Sequence, residues 1–196
     1  MRVWKLGSNV DTDALAPGAY MQFGLDVLAK HCLKRLRPEF ADQVREGDVI
    51  VAGPGFGIGS SREQAASVLR KLGVAAVIAP SFGGLFFRNA FNLGLLALVC
   101  PRADEIEDAE SLVLLPEQSL LIQEATMHSG KPCQLDQAKE LDQAKELDQA
   151  KELDQAKRLD QPKGLPLAPT PTFLLDMVRA GGLIEILKQR QLPSHA

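Results

Sequence analysis

Between residues 53 and 64 the chain reads Gly-Pro-Gly-Phe-Gly-Ile-Gly-Ser-Ser-Arg-Glu-Gln, with glycines at 53, 55, 57 and 59. Glycines at this density let a backbone turn tightly and come close to a ligand. The apolar run Asp48 to Ala52 leads into the turn as a short buried strand. Ser61 to Leu72 leaves it with apolar residues at 65, 68, 69 and 72, the spacing of a helix with one buried face. A helix start offers unpaired N–H groups and a partial positive charge, so it suits an anion. Arg62 is the residue type that grips a carboxylate through two parallel hydrogen bonds. The local chemistry reads as a carboxylate-binding turn with a serine set against the ligand.

Two nucleotide readings of the same turn fail. A P-loop needs lysine after its last glycine, where Ser60 stands, and a strict G-x-G-x-x-G needs glycine at 58 or 60. The structural alternative is a capping box, pairing Ser60 with Glu63 or Ser61 with Gln64. It accounts for one serine and one acid, but leaves four glycines, a second serine and an arginine without a purpose. Asp11-Thr12-Asp13 lies on a turn after the first strand; an Asx turn is its ordinary fate, and orienting a water, a serine or a substrate hydroxyl is the functional one.

Strands are expected at Arg2 to Lys5, Asp48 to Ala52, Val74 to Ala79 and Leu95 to Cys100. Helices are expected at Leu25 to Leu36, Ser61 to Leu72 and Phe82 to Leu93. Strand–helix–strand–helix–strand with short links predicts a parallel βαβαβ core. From Gln134 to Lys163 the unit Glu-Leu-Asp-Gln-Ala-Lys recurs, with leucines at 135, 141, 147, 153 and 159. Six residues advance a helix by about 600°, so no apolar stripe forms and a coiled coil is excluded. This tract reads as an insertion, solvated or marginally helical and not catalytic. It divides the chain into 1–133, the insertion 134–163, and 164–196, where Phe173 to Ala180 and Leu183 to Arg190 form a docked C-terminal helical element broken by Gly181-Gly182.

A length of 196 residues with 45% apolar content is enough for one good core. The net charge of -3 argues against nucleic acid as the main partner. Cys32, Cys100 and Cys133 form no C-x-x-C pair, which argues against a disulfide framework or a metal or iron–sulfur site within this chain. His31, His128 and His195 are isolated and suggest no metal site either. No window has the roughly 18 apolar residues that span a bilayer, and the start lacks a signal segment, so a soluble cytoplasmic protein is expected.

Four segments together resemble the small subunits of 3-isopropylmalate dehydratases, the detached swivelling domain of the aconitase superfamily. They are residues 3–13 (VWKLGSNVDTD), the 53–64 turn, Ala79-Pro80-Ser81-Phe82 with Phe86 and Asn89, and residues 173–183 (FLLDMVRAGGL). Lys30-His31 and residues 38–41 (PEFA) extend the likeness over about 1–115 and 165–190. The resemblance implies a swivelling β/β/α domain around the βαβαβ core. It also implies isomerisation of a small 2-hydroxy acid by dehydration and rehydration, in leucine biosynthesis. No cofactor is expected in this chain; a [4Fe–4S] cluster is expected on a separate large subunit, the implied partner. Ser60 would be the general base and Asp13 would support catalysis. Arg62 would bind a substrate carboxylate, with Ser61 behind it.

Two departures stand out. Gln64 replaces the family's usual histidine, and the substrate-recognition loop reads Tyr20-Met21-Gln22-Phe23. Relatives that recognise an extra distal carboxylate tend to place arginine in that loop. Met21 and Phe23 suit an apolar group, so a malate with a small alkyl substituent is the expected substrate. The alternatives are a paralogous subunit for another alkylmalate or citramalate-type acid, and a non-catalytic binding protein that kept the fold.

Overall fold

The computed structural model describes residues 1–106, 112–118, 120–123 and 163–191. The hexapeptide tract up to residue 162 therefore lies outside the described residues. In chain order the elements are β1 (Val3–Lys5), α1 (Thr12–Leu15), a 3-10 helix (Gly18–Phe23), α2 (Leu25–Ala29), α3 (Phe40–Gln43), β2 (Val49–Val51), α4 (Glu63–Lys71), β3 (Ala76–Ala79), α5 (Gly84–Asn92) and β4 (Leu96–Val99). Strands β5 (Leu112–Leu115), β6 (Leu120–Gln123) and β7 (Lys163–Pro166) follow, then helices α6 (Thr172–Ala180) and α7 (Leu183–Gln191).

Strands β1 to β4 form one parallel sheet in sequential order. Successive side chains on a strand face opposite ways, and here both faces are covered. Trp4, Ile50 and Val77 point to the side of α4 and α5, where Ala65, Val68, Leu69, Phe86 and Phe91 complete the core. Val3, Val49, Val51, Ala76 and Ile78 point to the other side, against Leu112 and Leu165 of the second sheet. Burial on both faces is why these strands read as continuous apolar runs rather than alternating ones. Each fully buried Leu, Ile or Phe contributes about 1.5–3 kcal/mol of transfer free energy. The second sheet is antiparallel, ordered β5-β6-β7. Two sheets and a helical layer give the expected β/β/α architecture, with the βαβαβ unit at its centre.

The helix expected over Leu25 to Leu36 stops at Ala29. Beyond it the chain runs in turns, with His31 N donating to Leu28 O at 3.0 Å and Cys32 N to Ala29 O at 3.2 Å. Leu33 then adopts a left-handed φ of 57° and donates its amide to Ala14 O at 2.8 Å. That conformation costs a non-glycine residue about 1–2 kcal/mol; complete burial of Cys32 and Leu33 offsets it. The apolar spacing was real, but tertiary burial rather than a helix uses it. The C-terminal helices meet at Gly181, whose φ of 92° caps α6 in the left-handed region. Among the described residues no helix is long and apolar enough to cross a membrane.

Candidate active site

The glycine turn continues the parallel ladder past the end of β2. On one side Asn9 N donates to Pro54 O (2.8 Å), Gly57 N to Val10 O (2.7 Å) and Thr12 N to Ile58 O (2.8 Å). On the other, Phe56 N donates to Ser81 O (3.1 Å) and Gly83 N to Phe56 O (2.8 Å). The loops after β1, β2 and β3 are thus joined at the carboxyl ends of parallel strands, where open α/β sheets place their ligands. Such close approach dictates glycine. A Cβ on Gly57, at φ 73°, would lie 2.3 Å from Phe86, and one on Gly53 would lie 2.3 Å from the Ser8 hydroxyl.

Ser60 and Ser61 lie exposed at the tip, ahead of α4. Arg62 is the N-cap of α4 and no side chain caps that helix, so the capping-box account of the serines fails. Instead the backbone makes a three-residue turn, Arg62 N donating to Ser60 O at 2.8 Å. Among the described residues the amides of Gly59, Ser60 and Ser61 meet no acceptor, and neither do the two serine hydroxyls. The nine-residue α4 points its positive end at the same place.

Arg62 reaches back to the first loop. Its Nη1 donates to the Asp13 carboxylate and, at 2.9 Å, to Ala16 O. Gly18 N also donates to Asp13, at 3.2 Å. The Arg62 hydrogen bond, followed by that of Gly18, holds the Asp13 carboxyl below the usual carboxylate range. Asp13 stays ionised and fixes one edge of the guanidinium, while Nε and Nη2 meet no acceptor among the described residues. Asp11 takes the bland role considered for this turn: its carboxylate caps α1 by accepting from Ala14 N at 2.6 Å.

Tyr20, Met21, Gln22 and Phe23 share the 3-10 helix that starts at Gly18, next to Asp13. Tyr20 and Met21 are partly buried against the core, whereas Gln22 and Phe23 are exposed. Tyr20 stacks on His31, centroids 3.6 Å apart and planes 4° from parallel. Ala16 O and His31 are contributors that motif reading does not reach: a carbonyl has no sequence signature, and an isolated histidine carries no sign of the ring it stacks on.

Cys32 and Cys100 are buried in cores on opposite faces of the parallel sheet. Burial pushes both thiols up, away from the thiolate form a metal requires. Among the described residues no three His, Cys, Asp or Glu side chains gather as a metal site. These residues do not fit a cluster cradle. Cys133 lies outside the described residues.

The chain is 37% identical over 190 residues to 3-isopropylmalate dehydratase small subunit 1 of Methanopyrus kandleri, covering 96% of this chain and 91% of that protein. It belongs to the 3-isopropylmalate dehydratase small-subunit family. The solved structure of 3-isopropylmalate dehydratase from Methanocaldococcus jannaschii superimposes with a TM-score of 0.67 at 32% identity, over 97% of this chain and 93% of that one. The Aconitase C-terminal domain family matches residues 36–103, from the end of the 31–36 turns to four residues past β4. A shorter, stronger likeness links 48% of this chain to 56% of the methanogen homoaconitase small subunit of Methanothermobacter thermautotrophicus, at 59% identity over 95 residues. The family thus spans the whole fold, including both sheets and the C-terminal helices.

Proposed function

We propose that this chain is the serine-bearing small subunit of a cytoplasmic heteromeric hydro-lyase that interconverts 2- and 3-isopropylmalate in leucine biosynthesis. Its partner is a large subunit carrying a [4Fe–4S] cluster. The observation that carries the site assignment is the exposed Ser60, its hydroxyl unengaged among the described residues, at the end of a glycine turn where the amides of Gly59, Ser60 and Ser61 also meet no acceptor. When bound, the partner's cluster supplies a Lewis acid for the substrate hydroxyl and one carboxylate.

The rest falls to residues of this chain. Ser60, as alkoxide, takes the proton from the carbon beside a carboxylate while the C–O bond breaks and the hydroxyl departs as hydroxide; on rehydration hydroxide adds back and Ser60 returns that proton to the enoic acid. A serine is a poor base, so its alkoxide needs compensation. The free amides at 59–61, the start of α4 and the Arg62 charge all favour it. The open edge of Arg62 binds a substrate carboxylate, and Asp13 holds the other edge in register. Met21 and Phe23 receive the alkyl group; Gln22 offers no charge for a further carboxylate.

The likeness to a homoaconitase small subunit supports a second reading, in which a longer tricarboxylic acid is the substrate. Co-purification with a cluster-bearing large subunit, followed by hydration of 2-isopropylmaleate and of homoaconitate, separates the two. Faster turnover of 2-isopropylmaleate is expected. Faster turnover of homoaconitate overturns the substrate assignment, and no complex at all overturns the proposal.

A further inference from the structure

Beside the Asp13–Arg62 pair, on the side of the Tyr20–His31 stack, lies an open cavity of about 300 Å³. Its walls include Asp13, Tyr20, His31, Lys34 and Arg35. Asp13 is its only acidic wall residue, and that charge is already engaged by Arg62. Lys34 has no acidic partner among the described residues. Arg35 has only a loose one, its Nη2 lying 3.9 Å from Asp11, whose other oxygen caps α1. The cavity therefore holds more positive than negative charge. The stacked Tyr20 and His31 side chains form part of its wall, and its volume exceeds that of a small carboxylic acid.

We infer that this cavity is a second anion site, distinct from the glycine turn, that takes one carboxylate of a small dicarboxylic acid. Lys34 and Arg35 supply the charge and His31 a ring N–H, with Tyr20 carrying occupancy to the recognition helix. A cleft whose lining carries net positive charge concentrates anions at its mouth. The carboxylate belongs either to the substrate itself, which rests on the function proposed above, or to a free dicarboxylate acting as an effector.

Tyr20 is the only tyrosine of the chain, and the single tryptophan, Trp4, is buried and does not line the cavity, so an ultraviolet difference spectrum reports on this wall. The test is titration of the full chain alone with malonate, following that signal. A saturable change is expected, weakened about tenfold in the double variant Lys34→Glu, Arg35→Glu and by added salt, because each exposed ion pair contributes up to about 1 kcal/mol. Both side chains are exposed, so the melting temperature should not change. No saturable signal in the wild type, or affinity unchanged in the double variant, overturns the site. In the assembled enzyme, a raised KM at unchanged kcat together with competitive inhibition by malonate assigns the carboxylate to substrate. Unchanged KM with non-competitive inhibition assigns it to an effector. Malonate binding by the lone chain without any hydration activity in the complex would sink the proposed function while leaving the cavity's role intact.

Discussion

The glycine turn and the recognition helix lie side by side, yet they are held in opposite ways. The turn is fixed by backbone: its amides and carbonyls pair with residues 9–12 on one flank and 81–83 on the other. The 3-10 helix over Gly18–Phe23 closes on itself through its own short-range helical bonds, Tyr20 N joins it to Pro17 O at 3.0 Å, and side chains anchor it to its surroundings, Asp13 on Gly18 N and His31 on Tyr20. A backbone ladder tolerates almost any neighbouring side chain but no shift of register. Side-chain anchors can be exchanged one at a time. In the proposed function, Ser60 therefore follows directly on an over-determined ladder, and the residues proposed to select substrate sit where single substitutions can retune them.

The largest expected effect breaks the rigid half. Gly57→Ala places a Cβ 2.3 Å from Phe86 at a left-handed φ, and should cost about 3 kcal/mol or more in a denaturant titration. Gly84→Ala, with nothing within 4 Å of the new Cβ, is the control and should change stability little. Equal stability of both variants would mean that the ladder does not fix the turn.

A smaller effect sharpens the adaptable half. Gln22→Arg should move the kcat/KM ratio about tenfold toward acids with a distal carboxylate, a charge-assisted hydrogen bond being worth roughly 1.5–3 kcal/mol before solvent weakens it. The exposed position predicts an unchanged melting temperature. A ratio that does not move would place the selecting residue elsewhere.

The smallest effect concerns the joint between the halves. Because the Asp13 carboxyl is held below the usual range, its contribution to stability is complete above the unfolded value. It is lost as pH falls through the lower folded one. The pair is largely solvated on the Asp13 side, so less than about 1 kcal/mol is at stake. Asp13→Asn should therefore lower stability at neutral pH by less than about 1 kcal/mol, change it little at strongly acid pH, and so flatten the acid limb below about pH 4; an unaltered acid limb would show that the pair is not formed.

Much of this arrangement was legible in the residues. The four parallel strands and helices α4 and α5 carry apolar spacing that only a buried layer can use, and Ser60, Arg62 and Asp13 stood out by residue type and position. The second sheet did not stand out, because β7 is Lys-Gly-Leu-Pro, whose glycine and proline read as loop. Pro166 is tolerated there because β7 is an edge strand and the proline is its last residue. The overlong helix at Leu25 to Leu36 fails for a different reason: Leu33's amide is captured by the carbonyl of Ala14 in α1, a contact distant in sequence that no local pattern announces. The Arg62–Asp13 pair spans 49 residues of sequence, so its members were visible but their union was not.

The proposed removal of a proton by Ser60 can be tested directly. In deuterated buffer, the wild-type complex should exchange the carbon-bound hydrogen of isopropylmalate. A Ser60→Ala complex, assembled with its large subunit as tightly as wild type, should exchange it roughly 10²–10⁴-fold more slowly. Exchange at the wild-type rate in that variant would show that another group removes the proton.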